Sequence, residues 1–319
     1  CVVTLCAADG DCNVPCFHPL SAWKTAAGDV VFYESARHDI VRSLTLPCGQ
    51  CVGCRLERSR QWAIRCLHEA SRYTNNCFIT LTYNDENLPS DQSLHYDHFQ
   101  KFMKRLRKAH RGIDPVEGQY PIRFYMAGEY GENFGRPHFH ACVFNFDFSD
   151  KKLWKRTDVG SRIFRSEQLE KLWPFGYSSI GEVNFQSAAY VARYIMKKIN
   201  GKQQAEHYEW VDPETGEVSQ RRPEFNKMSL KPGIGFDWYQ EFKDDVYPHD
   251  FVVVNGRKVR PPRFYDKKYK AEDPISFEWI EFEREKRARD KYEDNTVERL
   301  AAKEKVAKAR LSVLKRSLT

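Results

Sequence analysis

The sequence predicts an α+β fold, with a central, mainly antiparallel β-sheet flanked by helices. Three observations predict it. Short runs rich in apolar and aromatic residues recur at 78–83, 122–126, 138–144 and 177–183, as buried strands require. Stretches of helical spacing without internal Gly or Pro fall among them in irregular order, at 58–72, 95–111, 166–173 and 188–198. The segment 128–137 holds three glycines and a proline, so it forms a loop and joins two of the runs as a hairpin with a long tip.

Taken in order, residues 1–60 are a Cys-rich lead-in punctuated by Pro and Gly. The helix at 58–72 carries Trp62, Ile64, Arg65 and Leu67 early in its pattern. The strand at 78–83 is followed by a turn-rich loop at 84–93. The helix at 95–111 sets Phe99, Phe102, Met103 and Leu106 against a basic face of Lys101, Lys104, Arg105, Arg107, Lys108 and Arg111. The strand at 122–126 ends just before Glu129, and the chain returns through His138. A short helix at 166–173 and a strand at 177–183 lead into a helix from Ala188, with Ser187 as its cap. Residues 201–223 are polar and read as a loop or hairpin, with Asp212, Pro213, Glu214, Thr215 and Gly216 as its turn. Residues 224–265 are mixed. Beyond Pro274 the chain is rich in Glu, Lys, Arg and Ala and reads as one or two exposed helices, disorder of the last twenty or so residues being the alternative. The division expected is 1–70, a Cys-rich segment with a candidate zinc knuckle; 71–245, the main domain; and 246–319, a charged and largely helical region.

The composition fits a globular protein with a full core: 319 residues, 41% hydrophobic and 30% charged. No run approaches about twenty apolar residues, so no transmembrane helix and no membrane partner are expected. The net charge of +7 suits an anionic partner without requiring one. The basic face at 95–111 is either a DNA-backbone contact or a solvated helix face.

Two motifs carry chemistry. In His138-Phe139-His140, residues i and i+2 of a strand point to one face, so both imidazoles project together while Phe139 enters the core. Paired neutral imidazoles hold a divalent metal, or, in the plainer reading, hydrogen-bond on a half-buried strand. In the helix from Ala188, Tyr190 and Tyr194 lie four apart on one face, with Lys197 and Lys198 one turn on and Val191 and Ile195 as a separate apolar stripe. Those tyrosines are either packing residues or nucleophiles.

The combination resembles the HUH endonucleases, and among them the replication initiators of microvirus phages of the gokushovirus type. The resemblance rests on Phe78-Ile79-Thr80-Leu81-Thr82-Tyr83, on Gly128-Glu129-Tyr130-Gly131 leading to Gly135-Arg136-Pro137-His138-Phe139-His140, and on Tyr190-Val191-Ala192-Arg193-Tyr194-Ile195-Met196-Lys197. Arg193 stands where the family pattern often has Lys; it keeps the charge but is a poorer proton donor. The family fold is a central antiparallel sheet with packed helices, related to RNA-recognition and ferredoxin-like topologies.

The resemblance implies a metal-dependent, site-specific endonuclease and ligase for single-stranded DNA at a viral origin. His138 and His140 would hold Mg²⁺ or Mn²⁺. A hard cation needs a carboxylate as well, for which Glu129 is the first choice and Glu132 the competitor. A tyrosine hydroxyl, with an ordinary pKa of about 10, would attack phosphorus and leave a 5′-phosphotyrosine and a 3′-hydroxyl. Tyr190 and Tyr194 would alternate, with Lys197 neutralising phosphate charge or moving a proton. Arg136, Lys104, Arg105 and Lys108 are candidate DNA contacts, and Tyr83 or Trp62 candidate base-stacking residues against a core-packing role. Host polymerase and helicase are expected partners, and the host bacterial cytoplasm the expected location. The competing readings are a plasmid-mobilisation relaxase, a hydrolase in which the histidines activate water, and a non-catalytic zinc-knuckle nucleic-acid binder.

Seven of ten cysteines fall within the first 54 residues. Cys48, Cys51 and Cys54 are spaced as zinc ligands, with Cys6, Cys12, Cys16 or His18 as the fourth. Structural Zn²⁺, free or oxidisable cysteines, a disulfide framework and an iron–sulfur cluster all remain open at this point.

Overall fold

Strand β1 (Leu20–Thr25) lies between β2 (Val30–Val31) and β3 (Ile40–Leu46) in a small antiparallel sheet of a computed structural model. The structure describes residues 16–35, 37–110, 121–131, 135–157, 160–193, 204–211 and 215–313. Helix α1 (Val52–Ala70) follows, beginning six residues before the spacing of its apolar residues places it, because Cys51 ends the preceding turn and Val52 to Glu57 already contain no helix breaker but Gly53.

The large sheet is seven-stranded and antiparallel throughout, which is the predicted class. It is built from β4 (Asn76–Tyr83), β5 (Arg123–Tyr130), β6 (Pro137–Phe144), β7 (Lys152–Arg156), β8 (Arg162–Arg165), β9 (Gly176–Gly181) and β12 (Phe225–Met228), in the order β12-β5-β6-β4-β9-β8-β7. Between these strands run α2 (Tyr96–Ala109), α3 (Glu167–Leu172), α4 (Phe185–Arg193), α5 (Gln204–His207), and the hairpin β10 (Glu209–Val211) with β11 (Val218–Gln220). The hairpin occupies the polar segment where a loop or hairpin is expected; its turn lies outside the described residues at 212–214. Helix α6 (Phe236–Val246) follows β12.

Strand alternation divides the side chains of the sheet into two faces. On one, Ile79, Leu81, Tyr83, Met126, Phe139 and Val143 are buried with Phe99, Phe102, Met103 and Leu106 of α2 and with Trp173. The apolar stripe of α2 thus packs as its spacing dictates, with Phe99 5.3 Å from Phe124 and 5.9 Å from Phe139. On the other face Trp62 of α1 stacks on Tyr125 at 4.6 Å. A buried ion pair anchors α1 to β5: Arg123 Nε donates to Glu69 Oε1 at 2.5 Å, and Glu69 Oε2 accepts the Gly235 N–H at 2.6 Å. β9 enters the sheet at Gly176, where a Cβ would overlap the Asn84 and Thr82 backbone, so no larger residue fits there.

Helix α4 starts at Phe185, three residues earlier than expected. Asn184, not Ser187, precedes the first turn. Its Oδ1 accepts the Ser187 N–H at 2.9 Å while Ser187 Oγ accepts the Asn184 N–H at 2.9 Å, a reciprocal cap with Ser187 in the third helical position.

The remaining elements are the hairpin β13 (Val252–Val254) with β14 (Arg257–Val259), and the helices α7 (Arg263–Glu272), α8 (Pro274–Asp290) and α9 (Val297–Val313). The charged C-terminal region is therefore helical through Val313. Arg284 joins these elements, donating Nη2 to Asp250 at 2.6 Å and Nη1 to Asp266 at 2.8 Å, and is largely buried there. The chain divides into two compact units, Cys1–Arg58 with Asp244–Lys315, and Ser59–Lys243 with Arg316–Thr319. The N- and C-terminal segments that the sequence pattern keeps apart belong to one unit. No helix among the described residues is long and apolar enough to cross a membrane.

Candidate functional site

The pairing of β5 with β6 sets Glu129 directly opposite His138 and Ala127 opposite His140. Glu129 lies inside the strand rather than beyond its end, because the ladder continues to Tyr130 opposite Pro137. Glu129, His138 and His140 therefore share one sheet face by alternation, while Phe139 fills the core behind them.

The donor atoms converge. Glu129 Oε1 lies 2.7 Å from His138 Nε2 and 2.9 Å from His140 Nε2. Each imidazole is fixed from its other side. His138 Nδ1 donates to the Arg136 carbonyl at 3.0 Å, and His140 Nδ1 meets Thr80 Oγ1 at 2.9 Å. Thr80 stands opposite His140 on β4, so three adjacent strands build the site. Thr80 is a positioning residue that the sequence reading quotes within a motif but does not single out; alternation of Phe78, Thr80 and Thr82 on one face is the signal for it.

The electrostatics follow from that geometry. Glu129 is 2% exposed and His140 1% exposed. Burial pushes the Glu129 carboxyl up, but hydrogen bonds and charge from His138 and His140 outweigh it and hold the group down at about 2, so it is ionised. The Arg136 carbonyl only accepts, so Nδ1 of His138 carries a proton. Nε2 then faces the carboxylate either with a second proton or with a lone pair. The lone pair is repelled by the oxygen unless a cation lies between them. Two imidazole nitrogens and one carboxylate oxygen, each held by an outer hydrogen bond or by burial, form a donor set that fits a divalent cation and leaves coordination positions open.

Tyr190 stands beside this set. Its ring lies edge-on to His140 with centroids 5.1 Å apart and edge-on to Phe78 at 6.4 Å. Helix α4 is held in place on both sides of it: Ser59 Oγ donates to the Ala189 carbonyl at 3.1 Å and Asn226 Nδ2 to the Val191 carbonyl at 3.4 Å. Ala188, Ala189, Val191 and Ala192 are fully buried, and their small side chains let the helix lie close to the sheet. Tyr194, Lys197 and Lys198 fall outside the described residues, as do Glu132, Cys6, Cys12 and Arg111.

The other candidate contacts are placed differently. Lys104 and Lys108 are exposed on α2, whose packing stripe covers the sheet face opposite His138 and His140. Arg105 donates to the Leu172 carbonyl at 2.9 Å, a tie within the fold. Arg136 is next to the histidine strand, but its guanidinium donates to the Tyr83 carbonyl at 3.0 Å and pairs with Asp85. Tyr83 is fully buried and bonded to His98, which leaves it no base to stack on. Trp62 holds the Arg65 guanidinium 4.0 Å from its ring centre while it stacks on Tyr125. His95, Asp97 and His98 also gather donor atoms, but His95 is bonded to Asp91 and His98 to Tyr83. Cys16 joins Cys48, Cys51 and Cys54 in a four-sulfur cluster, whereas His18 pairs with Glu304 at 2.8 Å.

Residues 76–199 match the family described as replication-associated protein ORF2. Over 271 residues the chain is 34% identical to the replication-associated protein VP4 of Bdellovibrio phage phiMH2K, covering 84% of this chain and 80% of that protein. It is 31% identical over 273 residues to the replication-associated protein ORF2 of Spiroplasma virus 4, covering 82% and 79%. With the replication-associated protein ORF4 of Chlamydia phage 1 it shares 32% identity over 230 residues, covering 70% and 53%. No solved structure matches the chain.

Proposed function

The chain belongs to the family of phage replication-associated proteins of the ORF2 type, and on that premise we propose that it initiates phage DNA replication by nicking and rejoining single-stranded origin DNA through a 5′-phosphotyrosine. One observation carries the reading: a buried carboxylate and two oriented imidazoles converge within 2.9 Å on the same sheet face, with Tyr190 edge-on to His140.

Glu129, His138 and His140 would hold Mg²⁺ or Mn²⁺. A bound divalent ion supplies charge stabilisation at a non-bridging phosphate oxygen. Tyr190 attacks phosphorus in line. Its phenolic oxygen forms the new P–O bond, the 3′ oxygen leaves, and the phenol proton passes to solvent or to a nearby base. The products are a 5′-phosphotyrosine and a free 3′-hydroxyl that primes host polymerase. Tyr194, four residues on, attacks the regenerated junction after one round, and the displaced 3′-hydroxyl reverses the first linkage to close the circle. The phosphodiester energy is retained in the covalent link, so rejoining needs no ATP. Lys197 neutralises phosphate charge or carries the proton. Arg136 contacts the DNA backbone beside the site if the incoming phosphate displaces Asp85. The setting is the host bacterial cytoplasm, with helicase and polymerase of the host as partners.

The test is adduct formation on labelled single-stranded origin DNA with Mn²⁺, read on denaturing gels for the parent chain, Tyr190→Phe, Tyr194→Phe and the double variant. A metal-dependent adduct that is reduced in one single variant and lost in the double is the expected result. Cleavage without an adduct, unchanged in the double variant, would establish a water-activating hydrolase instead. Binding without cleavage would establish a non-catalytic DNA-binding protein.

A further inference from the structure

Cys16, Cys48, Cys51 and Cys54 bring their sulfurs within 4.8 Å of one another, and Cys16 Sγ lies 3.9 Å from Cys51 Sγ. An ion bonded tetrahedrally to four thiolates at about 2.3 Å sets sulfur–sulfur edges of about 3.8 Å. The Cys16–Cys51 separation is far from the roughly 2.05 Å of a disulfide, and all four residues are free thiols.

The backbone is arranged around the sulfurs. The Cys48 N–H donates to Cys16 Sγ at 3.2 Å, the Cys51 N–H to Cys48 Sγ at 3.3 Å, and the Gln50 N–H to Cys48 Sγ at 3.4 Å. Cys51 Sγ accepts from the N–H groups of Phe17 at 3.3 Å and Cys54 at 3.4 Å. Amides aimed at sulfur favour the thiolate over the thiol. Gly49, at φ +74°, supplies the left-handed turn that folds the Cys48–Cys51 knuckle inward, where an L side chain is strained. Cys51 precedes α1 and Cys54 lies in its first turn, so the positive end of the helix faces the cluster. The Arg58 guanidinium reaches the Gly49 carbonyl at 3.5 Å.

The surroundings give the cluster a task. Phe17 and Cys51 are buried with Leu300 and Ala307 of α9, and Cys16, Cys48, Val52 and Cys54 pack against that group. Such a small apolar core cannot by itself offset the entropy of ordering the loops that carry Cys16 and Cys48. Cys66, Cys77 and Cys142, by contrast, are fully buried within the other unit.

We propose that Cys16, Cys48, Cys51 and Cys54 form a closed tetrathiolate Zn²⁺ site that fastens the segment around Cys16 and the Cys48–Cys54 knuckle to α9. Binding exchanges thiol protons for the ion and releases those protons to solvent, with no change of oxidation state. Four protein ligands leave no open position, so the site is structural. Several irons bridged in one cluster would hold opposite sulfurs farther apart than these lie.

The full chain, purified under reducing conditions, is assayed for metal by elemental mass spectrometry and then exchanged into Co²⁺. The expected result is about one tightly held zinc per chain and, after exchange, thiolate-to-cobalt charge-transfer absorption with strong tetrahedral visible bands. The Glu129, His138 and His140 set contains no thiolate and cannot produce that charge-transfer absorption, so this result is independent of the nicking reading. Cys16→Ser and Cys54→Ser lose the bands while His138→Ala retains them. Chelation of the parent chain opens 297–313 to trypsin. A parent chain that takes up neither zinc nor cobalt at thiolates overturns the proposal. So does iron as the native metal, or charge-transfer bands that persist unchanged in Cys16→Ser.

Discussion

The two donor clusters of this chain are built in opposite ways. Glu129, His138 and His140 sit on neighbouring central strands of a seven-stranded sheet, and ladder register alone sets their spacing. Cys16, Cys48, Cys51 and Cys54 come from a loop, a glycine turn and the start of a helix, and no ladder holds them. The first is a mixed set with positions left open, held by the fold around it. The second is a closed set of one donor type, suited to holding the fold. The contrast teaches that donor chemistry and scaffold go together: a site meant to exchange its ligands is placed on the rigid part of the molecule, and a site meant to supply rigidity is placed where the chain has little of its own.

That contrast breaks most severely if the frame of the sheet fails. Glu69→Ala leaves Arg123 charged and unpaired in the core between α1 and β5, and about 3–5 kcal/mol of stability is expected to disappear. Urea denaturation measures it; a loss below about 1 kcal/mol would mean that the pair does not brace β5. Next in size, Glu129→Gln removes the anionic donor with little change of shape. Origin cleavage is expected to fall roughly 10²–10³-fold while zinc content stays at the parent value. Equal loss of both would show that the two clusters are not independent. A smaller effect is expected from Thr80→Val, which removes only the outer hydrogen bond to His140 Nδ1. Mn²⁺ affinity, read by titration of cleavage, should drop about 10–100-fold with the maximal rate far less affected. Unaltered affinity would sink the positioning role of Thr80.

The smallest effect concerns pH and lies away from both clusters. Burial lowers His68 from its ordinary value to about 3, and the ring stacks on Trp238 at 3.5 Å. The unfolded chain takes up this proton below about pH 6.5 and the folded chain only near 3, so the stabilisation is complete above 6.5 and declines as pH falls through that window. The slope it contributes is at most about 1.4 kcal/mol per pH unit. His68→Gln should flatten the stability profile between pH 6 and pH 4; an unchanged slope would assign acid sensitivity elsewhere.

Much of this architecture is legible in the residues. Alternation places Phe139 inward and the two histidines outward, and the class of fold follows from where strand and helix periods fall. What the pattern does not carry is anything decided by closure in three dimensions. The β5 strand looks finished at Met126 because Ala127 and Gly128 have little strand preference, yet pairing with β6 carries the ladder through Glu129. The start of α4 is set by a reciprocal side-chain cap at Asn184 that outweighs the better-placed serine. The basic residues of α2 read equally well toward either sheet face, and only the packing of Phe99 and Phe102 turns Lys104 and Lys108 away from the histidines. Cys16 is indistinguishable by spacing from Cys6, Cys12 or His18, and the folded chain singles it out by bringing its sulfur to Cys51.

The central claim is that the strand-borne triad activates a phosphate for attack by tyrosine. It is tested most directly by digesting the product of a Mn²⁺ reaction on origin DNA and locating the nucleotide-bearing peptide by mass spectrometry. A 5′-linked nucleotide on Tyr190 or Tyr194, absent without metal and absent in Glu129→Gln, is the predicted result. Cleaved DNA carrying a free 5′-phosphate, with both tyrosines unmodified, would contradict it.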